Sequence, residues 1–251
     1  CVKKELNTFP VQSTIIENKE NKGFAGGHNQ GFGETDSDYI LLLNQDMYLT
    51  PDCLERLVKF LDSHPDVAAV SPRLMKWRVV DIHGLPTDSH GMTNQIDSLG
   101  LKVFRNRRVI EKYTGKDWNI IRPKMMLSYR AERLEGDGAA VEVFGVSGAL
   151  PMYRRSMINE VLLNGRIFDE NYHSYKEDVD LAFRLVSAGF KSYVVLDAVA
   201  YHDRSAVGVE DIKDKTAVEN KKKQSEWVKY HSFKNHLMTL YKNEYWQNFI
   251  L

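Results

Sequence analysis

An α/β fold is what the order of apolar segments in this chain predicts, and three observations carry it. Tyr39-Ile40-Leu41-Leu42-Leu43 is a continuous apolar run of strand length, the pattern of a strand covered on both faces, as in a parallel sheet. Leu54, Leu57, Val58 and Leu61 then recur at helical spacing between Pro51-Asp52 and His64-Pro65, which reads as a helix with its start and its stop. Val67 to Val70 follows as another strand, ended by Ser71-Pro72. Strand, helix, strand in that order argues for an α/β sheet.

The other elements are read in the same way. Gln12 to Glu17 is short and β-branched, which predicts a strand. Asn18 to Gly33 holds five glycines and no helical period, so it is expected to be a loop that lets backbone approach a ligand. Residues 75–142 carry many charges and weak periodicity. They read as a loop-rich excursion with a hairpin, too long to be structureless and therefore functional. Val141 to Leu150 is expected to be a strand running into a small-residue turn, and Tyr153 to Leu163 a helix. Asp178 to Ala188 is a helix with Val179, Ala182, Leu185 and Val186 on one face and Gly189 as its stop. Lys191 to Leu196 is a strand. From Lys221 onward the pattern is helical, with basic residues on one side, so the chain divides into a domain over 1–220 and a helical tail over 221–251.

Composition narrows the function. Hydrophobic residues make up 43% and charged residues 27% of the 251, which excludes a disordered or fibrous chain. Lys+Arg and Asp+Glu both total 34, so no overall charge draws the protein to nucleic acid. No run reaches the roughly 18 apolar residues of a membrane-spanning helix. The two cysteines, Cys1 and Cys53, cannot form a disulfide framework and are not spaced for zinc, so a reducing, cytoplasmic setting is the default.

Four groups of residues offer chemistry, and each has a plain structural alternative. Asn44-Gln45-Asp46 ends an apolar strand, where a carboxylate can hold a hard cation; an Asx-type turn is the alternative. Asn21 to Gly31 (NKGFAGGHNQG) offers free backbone and Asn side chains to a nucleotide, or is an ordinary surface loop. Glu177-Asp178-Val179-Asp180 opens a helix, either as caps or as a general base kept ionised by the helix dipole. His202 follows a strand, as a structural residue or as a metal ligand. Gly145-Val146-Ser147-Gly148-Ala149 lacks the G-x-S-x-G spacing of a hydrolase elbow.

In this order the segments resemble the family 2 glycosyltransferases of the GT-A fold, in particular the bacterial rhamnosyltransferase-like branch. The matching stretches are ENKENKGFAGGHNQGFG, YILLLNQDMYLTPDCLERLV, VAAVSPRL, IDSLGL, VFGVSGALPMYRRSM, FDENYHSYKEDVDLAFRLVSAGFKSYVV and YHDRSAVG. The resemblance implies a Rossmann-like, mixed and mostly parallel sheet flanked by helices. Family members begin with a strand of type V-x-V-x-x-x-Y-N and a second ending in D-N-x-S, and neither motif stands in this sequence. The expectation is a chain without its first ~40 residues, on the usual strand-plus-helix lengths of an α/β unit.

The resemblance also implies roles. Asp46 matches the metal-binding Asp of a D-x-D-like motif, and Asn44 stands in for its first acid, facing the donor. Gly23, Phe24, Ala25 and Asn29 match the segment beside the nucleotide, and Ser147, Gly148 and Ala149 match one lining the sugar and acceptor side. Asp178 matches the catalytic base, with Glu177 as the lesser candidate or an acceptor contact, and His202 matches a histidine that completes the metal site in some relatives. The cofactor is then Mg²⁺ or Mn²⁺. The donor is a dTDP-, UDP- or GDP-linked sugar, with dTDP-rhamnose first. The acceptor is a glycan or a polyprenyl-diphosphate-linked glycan of cell-surface polysaccharide synthesis. A nucleotidyltransferase and an inactive remnant of the fold are the rival readings. The tail (Lys221-Lys222-Lys223, Trp227, Lys229, Tyr230, Lys234, Tyr241, Lys242) suits either an anionic membrane surface, on the inner face of the cell membrane, or a solvated helix packed on the domain.

Overall fold

The computed structural model describes residues 11–77, 91–128, 131–134, 138–203 and 226–243. Its centre is a sheet in the order β1 (Tyr39–Leu41), β9 (Met152–Arg154), β3 (Val67–Trp77), β10 (Lys191–His202), β8 (Ala139–Val143), β7 (Ala131–Arg133). Two more strands join it: β2 (Met47–Leu49) on β10 and β4 (Met92–Ser98) on β3. The α/β class with a mixed sheet flanked by helices holds. The parallel share is small, since among the described pairings only β3 with β10 runs parallel.

β3 and β10 are buried on both faces, and successive side chains feed different cores. Val194 and Leu196 join the cluster of Met75, Ile96, Trp118, Phe168 and Leu181. Tyr193 and Val195 join that of Leu57, Phe60, Leu61 and Leu74. This alternation is why an almost unbroken apolar run is needed. The helix α2 (Cys53–Ser63) covers the second face with Leu57, Phe60 and Leu61, each worth about 1.5–3 kcal/mol when fully buried. Leu54, expected on that face, is 42% exposed, and Cys53 and Phe60 take its place. Burial pushes the Cys53 thiol up to about 12, so it stays inert packing; Cys1 lies outside the described residues.

Several expectations are corrected. Gln12–Glu17 is exposed and forms no strand, since β-propensity does not act without a paired neighbour. β1 is the edge of the described sheet and pairs antiparallel with β9, so Leu43 is half exposed rather than covered. β3 does not stop at Ser71-Pro72: Pro72 sits opposite Val195, where the register slips by a bulge that accommodates the missing N–H. Tyr153 belongs to β9, and the helix after it, α4, is short (Arg155–Glu160).

The described residues between 75 and 142 are more ordered than expected. Besides β4 they contain a hairpin, β5 (Leu101–Val103) with β6 (Val109–Glu111), and the helix α3 (Trp118–Met126), whose Trp118, Ile121 and Met125 enter the main core. The hairpin was expected; the packed helix was not.

The Gly-rich segment is a helix, α1 (Gly23–Gly33), not a loop. Its three interior glycines cost roughly 1 kcal/mol each against alanine. Tertiary contacts offset this. Phe32 is buried, worth about 1.5–3 kcal/mol. Asn29 makes two 2.9 Å bonds to the backbone N–H and C=O of Phe168, worth about 0.5–1.5 kcal/mol each.

After the 3-10 turn Glu170–Tyr172 comes α5 (Glu177–Ser187), with Val179, Leu181, Ala182 and Leu185 buried and Val186 48% exposed. The last described helix, α6 (Glu226–Asn243), is inverted relative to a simple amphipathic pattern. Asn235 and Thr239 face inward, while Tyr230, Phe233, Leu237 and Tyr241 face solvent. Its lysines do not share a free basic side. Lys229 pairs with Glu226, Lys234 donates to the Asn171 carbonyl, and Lys242 reaches Asp169 (2.9 Å) and buried Asp180 (2.7 Å). Lys221-Lys222-Lys223 and the division at 220/221 lie outside the described residues.

Candidate functional site

A cleft of about 470 Å³ opens where the β1–β2 turn, the end of β10, the segment after β8 and the start of α5 meet. Of the residues singled out in the sequence, Phe24, Asn44, Asp46, Ser147, Gly148, Ala149, Glu177, Asp178 and His202 line it. Gly23, Ala25 and Asn29 stand behind its wall. Gly23 presses against His173, the Ala25 N–H donates to the His173 carbonyl (3.0 Å), and Asn29 holds Phe168.

One side of the cleft rests on strands. The Asp46 carbonyl accepts the Asp203 N–H (2.9 Å), and Met47 is paired with His202, so the turn is sewn to the end of β10. This brings Asp46 Oδ2 to 3.3 Å from His202 Nε2. Behind the ring, Asp97 Oδ2 on β4 lies 2.8 Å from His202 Nδ1, and Asp97 is fully buried. A carboxylate that deep is costly unless paired. Here it keeps the proton on Nδ1 and aims Nε2 at Asp46, the arrangement usual behind a metal-binding histidine. Asp46 Oδ1 is also buried and has no hydrogen-bond partner among the described residues.

The segment after β8 joins the two sides. The Ala149 carbonyl accepts the Asn44 N–H (3.2 Å), and the Gly148 N–H donates to Asp178 Oδ2 (3.0 Å). A Cβ on Gly148 would lie 3.4 Å from that carboxylate, an ordinary contact distance, so what Gly148 contributes is its N–H. Ser147 Oγ donates to Glu111 Oε1 (2.9 Å), and Ser98 Oγ bonds the other oxygen.

On the remaining side, Glu177 and Asp178 begin α5. Asp178 Oδ1 accepts the neighbouring Val179 N–H (2.8 Å) from within the first turn; the N-cap position belongs to Lys176, so Asp178 is not the cap, and it lines the cleft. Burial pushes Glu177 up to about 8, and the adjacent Asp178 charge adds to it. Burial raises Asp178 as well, but the Gly148 and Val179 N–H groups pull against it. The two N–H groups favour the charged form of Asp178, so of the pair Glu177 is the member that burial favours in its protonated form.

Among the cleft residues missed in the sequence are Glu111, the hairpin carboxylate; Ser174, Tyr175 and Lys176, before the acid pair; and Ser232 of α6. Asp97, behind the cleft, was missed too, although it lies in the stretch IDSLGL that the resemblance had picked out. An acid in a strand gives no periodic signal of its own.

Comparison with known proteins gives the family and a likeness of fold. The profile of Glycosyl transferase family 2 matches residues 2–162. The N-acetylglucosaminyl-diphospho-decaprenol L-rhamnosyltransferases of two Mycobacterium tuberculosis strains are 30% identical over 168 residues, which is 67% of this chain and 48% of theirs. The chain thus spans about half the length of these curated relatives. Among solved structures, GalNAc-T7 with UDP, GalNAc and Mn²⁺ superposes with a TM-score of 0.51 over 75% of this chain and 32% of its own, at 11% identity, a likeness of fold.

Proposed function

Since the chain belongs to glycosyl transferase family 2, we propose that it is an inverting enzyme of the GT-A fold that moves a sugar from a nucleotide-sugar to a hydroxyl of a glycan or lipid-linked acceptor. The observation that carries this reading is the presence, in one cleft, of the Asp46–His202 pair and the Glu177–Asp178 pair. One suits a cation and diphosphate, the other a proton.

Asp46 and His202 would hold a Mg²⁺ or Mn²⁺. The buried Asp46 Oδ1, unpartnered among the described residues, and the His202 Nε2 aimed at the same carboxylate fit such an ion. Among the described residues no group of three His, Cys, Asp or Glu side chains converges. Diphosphate oxygens and water would complete the shell, as is usual for Mg²⁺. When bound, the ion offsets the charge that develops on the leaving diphosphate. Phe24 and Asn44 line the cleft and are assigned to the donor. Asp178 takes the proton of the acceptor hydroxyl, whose oxygen attacks the anomeric carbon opposite the leaving group, inverting that centre. Glu177, holding its own proton, lowers the negative charge beside Asp178 and can donate a hydrogen bond to the acceptor.

The rhamnosyltransferase relatives support rhamnose as the sugar and a polyprenyl-diphosphate-linked glycan as the acceptor. Such an acceptor would bring the enzyme to the inner face of the cell membrane from the cytoplasm. Among the described residues no helix is long and apolar enough to cross a membrane.

The test is thermal stability with UDP, dTDP and GDP, each with and without Mn²⁺, together with consumption of the matching sugar nucleotide. The expected result is a metal-dependent shift with one nucleotide, lost in Asp46→Ala. No shift with any nucleotide, and no consumption, overturns the reading.

A further inference from the structure

Four consecutive residues, His173 to Lys176, lead into the acid pair, and three of them are non-glycine residues at positive φ: His173 (61°), Tyr175 (74°) and Lys176 (68°). The Ser174 N–H donates to the Tyr172 carbonyl at 2.7 Å, so His173 (φ 61°, ψ −65°) is the centre of the rarer, positive-φ γ-turn. Backbone of this kind persists only where its surroundings impose it. Its end is also the start of α5, so its shape sets where Glu177 and Asp178 stand.

The surroundings come from α1 and α6. On the α1 side, the Ala25 N–H holds the His173 carbonyl (3.0 Å), and the Phe24 N–H holds Ser174 Oγ (3.1 Å). On the α6 side, the rings of Trp227 and His231 pack against those of His173 and Tyr175, and the fully buried amide of Asn235 gathers the carbonyls. Asn235 Nδ2 donates toward the carbonyls of Tyr172 (2.9 Å), Ser174 (2.8 Å) and Tyr175 (2.6 Å). An NH₂ group has two hydrogens, so at least one is shared between carbonyls. Three carbonyls turned to one point repel each other, and a donor in their midst is what lets the chain curl there. α6 is fixed in turn to α5 itself. Lys242 reaches buried Asp180, and the hydroxyls of Tyr172 and Thr239 lie 3.0 Å apart.

We propose that Asn235 is a positioning residue for the transfer reaction: by gathering these three carbonyls it fixes the turn that sets the acid pair in the cleft, so that α6 belongs to the active site although its amide is not among the cleft-lining groups. The inference rests on the glycosyltransferase reading for its kinetic arm only.

The experiment compares the full chain with Asn235→Ala and the milder Asn235→Ser, which keeps one donor. Hydrogen exchange is followed in the segment 172–178 and in α3, and kcat and KM for the donor are measured. A displaced catalytic group typically costs ~10²-fold in rate. We expect exchange in 172–178 to rise at least about tenfold in the alanine variant with α3 unchanged. We expect kcat to fall by about 10–100-fold with donor KM held within about twofold, and Asn235→Ser to lie between. Unchanged exchange in 172–178, or a rise of equal size in α3, overturns the proposal, the second result marking a merely structural residue. If wild type transfers no sugar from any nucleotide, the reading of function fails, while the exchange arm still decides whether Asn235 holds the turn.

Discussion

Asp46 and His202 stand at the ends of paired strands, whereas Glu177 and Asp178 follow a run of positive-φ turns. The first pair needs little outside help: the β2–β10 ladder sets its spacing, and Asp97 from β4, which pairs with β3 in the same sheet, orients the ring. The second pair is held from outside, by the α1 N–H groups, the Asn235 amide and the Gly148 N–H. Ladder hydrogen bonds repeat along a strand and share the load, while a strained turn depends on a few contacts. The half of the cleft assigned to the metal should therefore tolerate changes around it better than the half assigned to proton transfer.

The sharpest test of this contrast is at the base. Asp178→Asn keeps shape and loses the charge, and kcat should fall by ~10²–10⁴-fold with nucleotide binding retained. Near-normal turnover would sink the assignment. Next in size is Asp97→Asn. It leaves the sheet intact but no longer fixes the tautomer of His202, and Mn²⁺ affinity measured by calorimetry should drop about 10–100-fold. An unchanged affinity would show that the ladder alone aims the ring.

A smaller effect is expected at Gly23, which has φ +69° and where a Cβ would sit 2.5 Å from the His173 ring and carbonyl. Gly23→Ala should lower stability by about 1–3 kcal/mol, read as a Tm lower by roughly 2–4 °C per kcal/mol. A variant as stable as wild type would mean that the turn yields easily and the contrast between the halves is weak.

The smallest expected effect concerns pH. Glu177 is raised from an ordinary 4.5 to about 8, so the folded protein holds its proton more tightly than the unfolded chain does. That contribution to stability is complete below the unfolded value and is lost as pH rises toward the folded one. Glu177→Gln should flatten the dependence of Tm on pH between these two values and melt above wild type near pH 8. Parallel curves for the two proteins would show that the buried carboxyl is not held neutral.

Much of the fold was legible in the sequence because burial on both faces of a sheet demands unbroken apolar runs, and β3, β10, α2 and α5 carry them. The Gly-rich helix α1 was not, because its stability comes from Asn29 meeting Phe168, 139 positions away, and from Phe32 entering the main core. In the site, Asp46, Asp178 and His202 stood out by their places at the ends of elements. Asp97 and Glu111 did not, because an acid inside a strand resembles any solvent-facing residue until its partner is known. Asn235 was not singled out, because a lone amide on a helix carries no periodic signal until the carbonyls it meets are known.

Sequence alone determined what periodicity and resemblance can carry: the α/β class, the family, and which carboxylates to suspect. Tertiary structure decided which groups meet, because those meetings depend on contacts between distant segments. It brought Asp97 behind His202 across 105 positions, set Gly148 under Asp178, and turned α6 so that its amide faces the core and its aromatic residues face outward. A hydrogen bond between distant segments leaves no period in the chain, so only the folded arrangement reveals which of two equally polar residues is held and which is solvated.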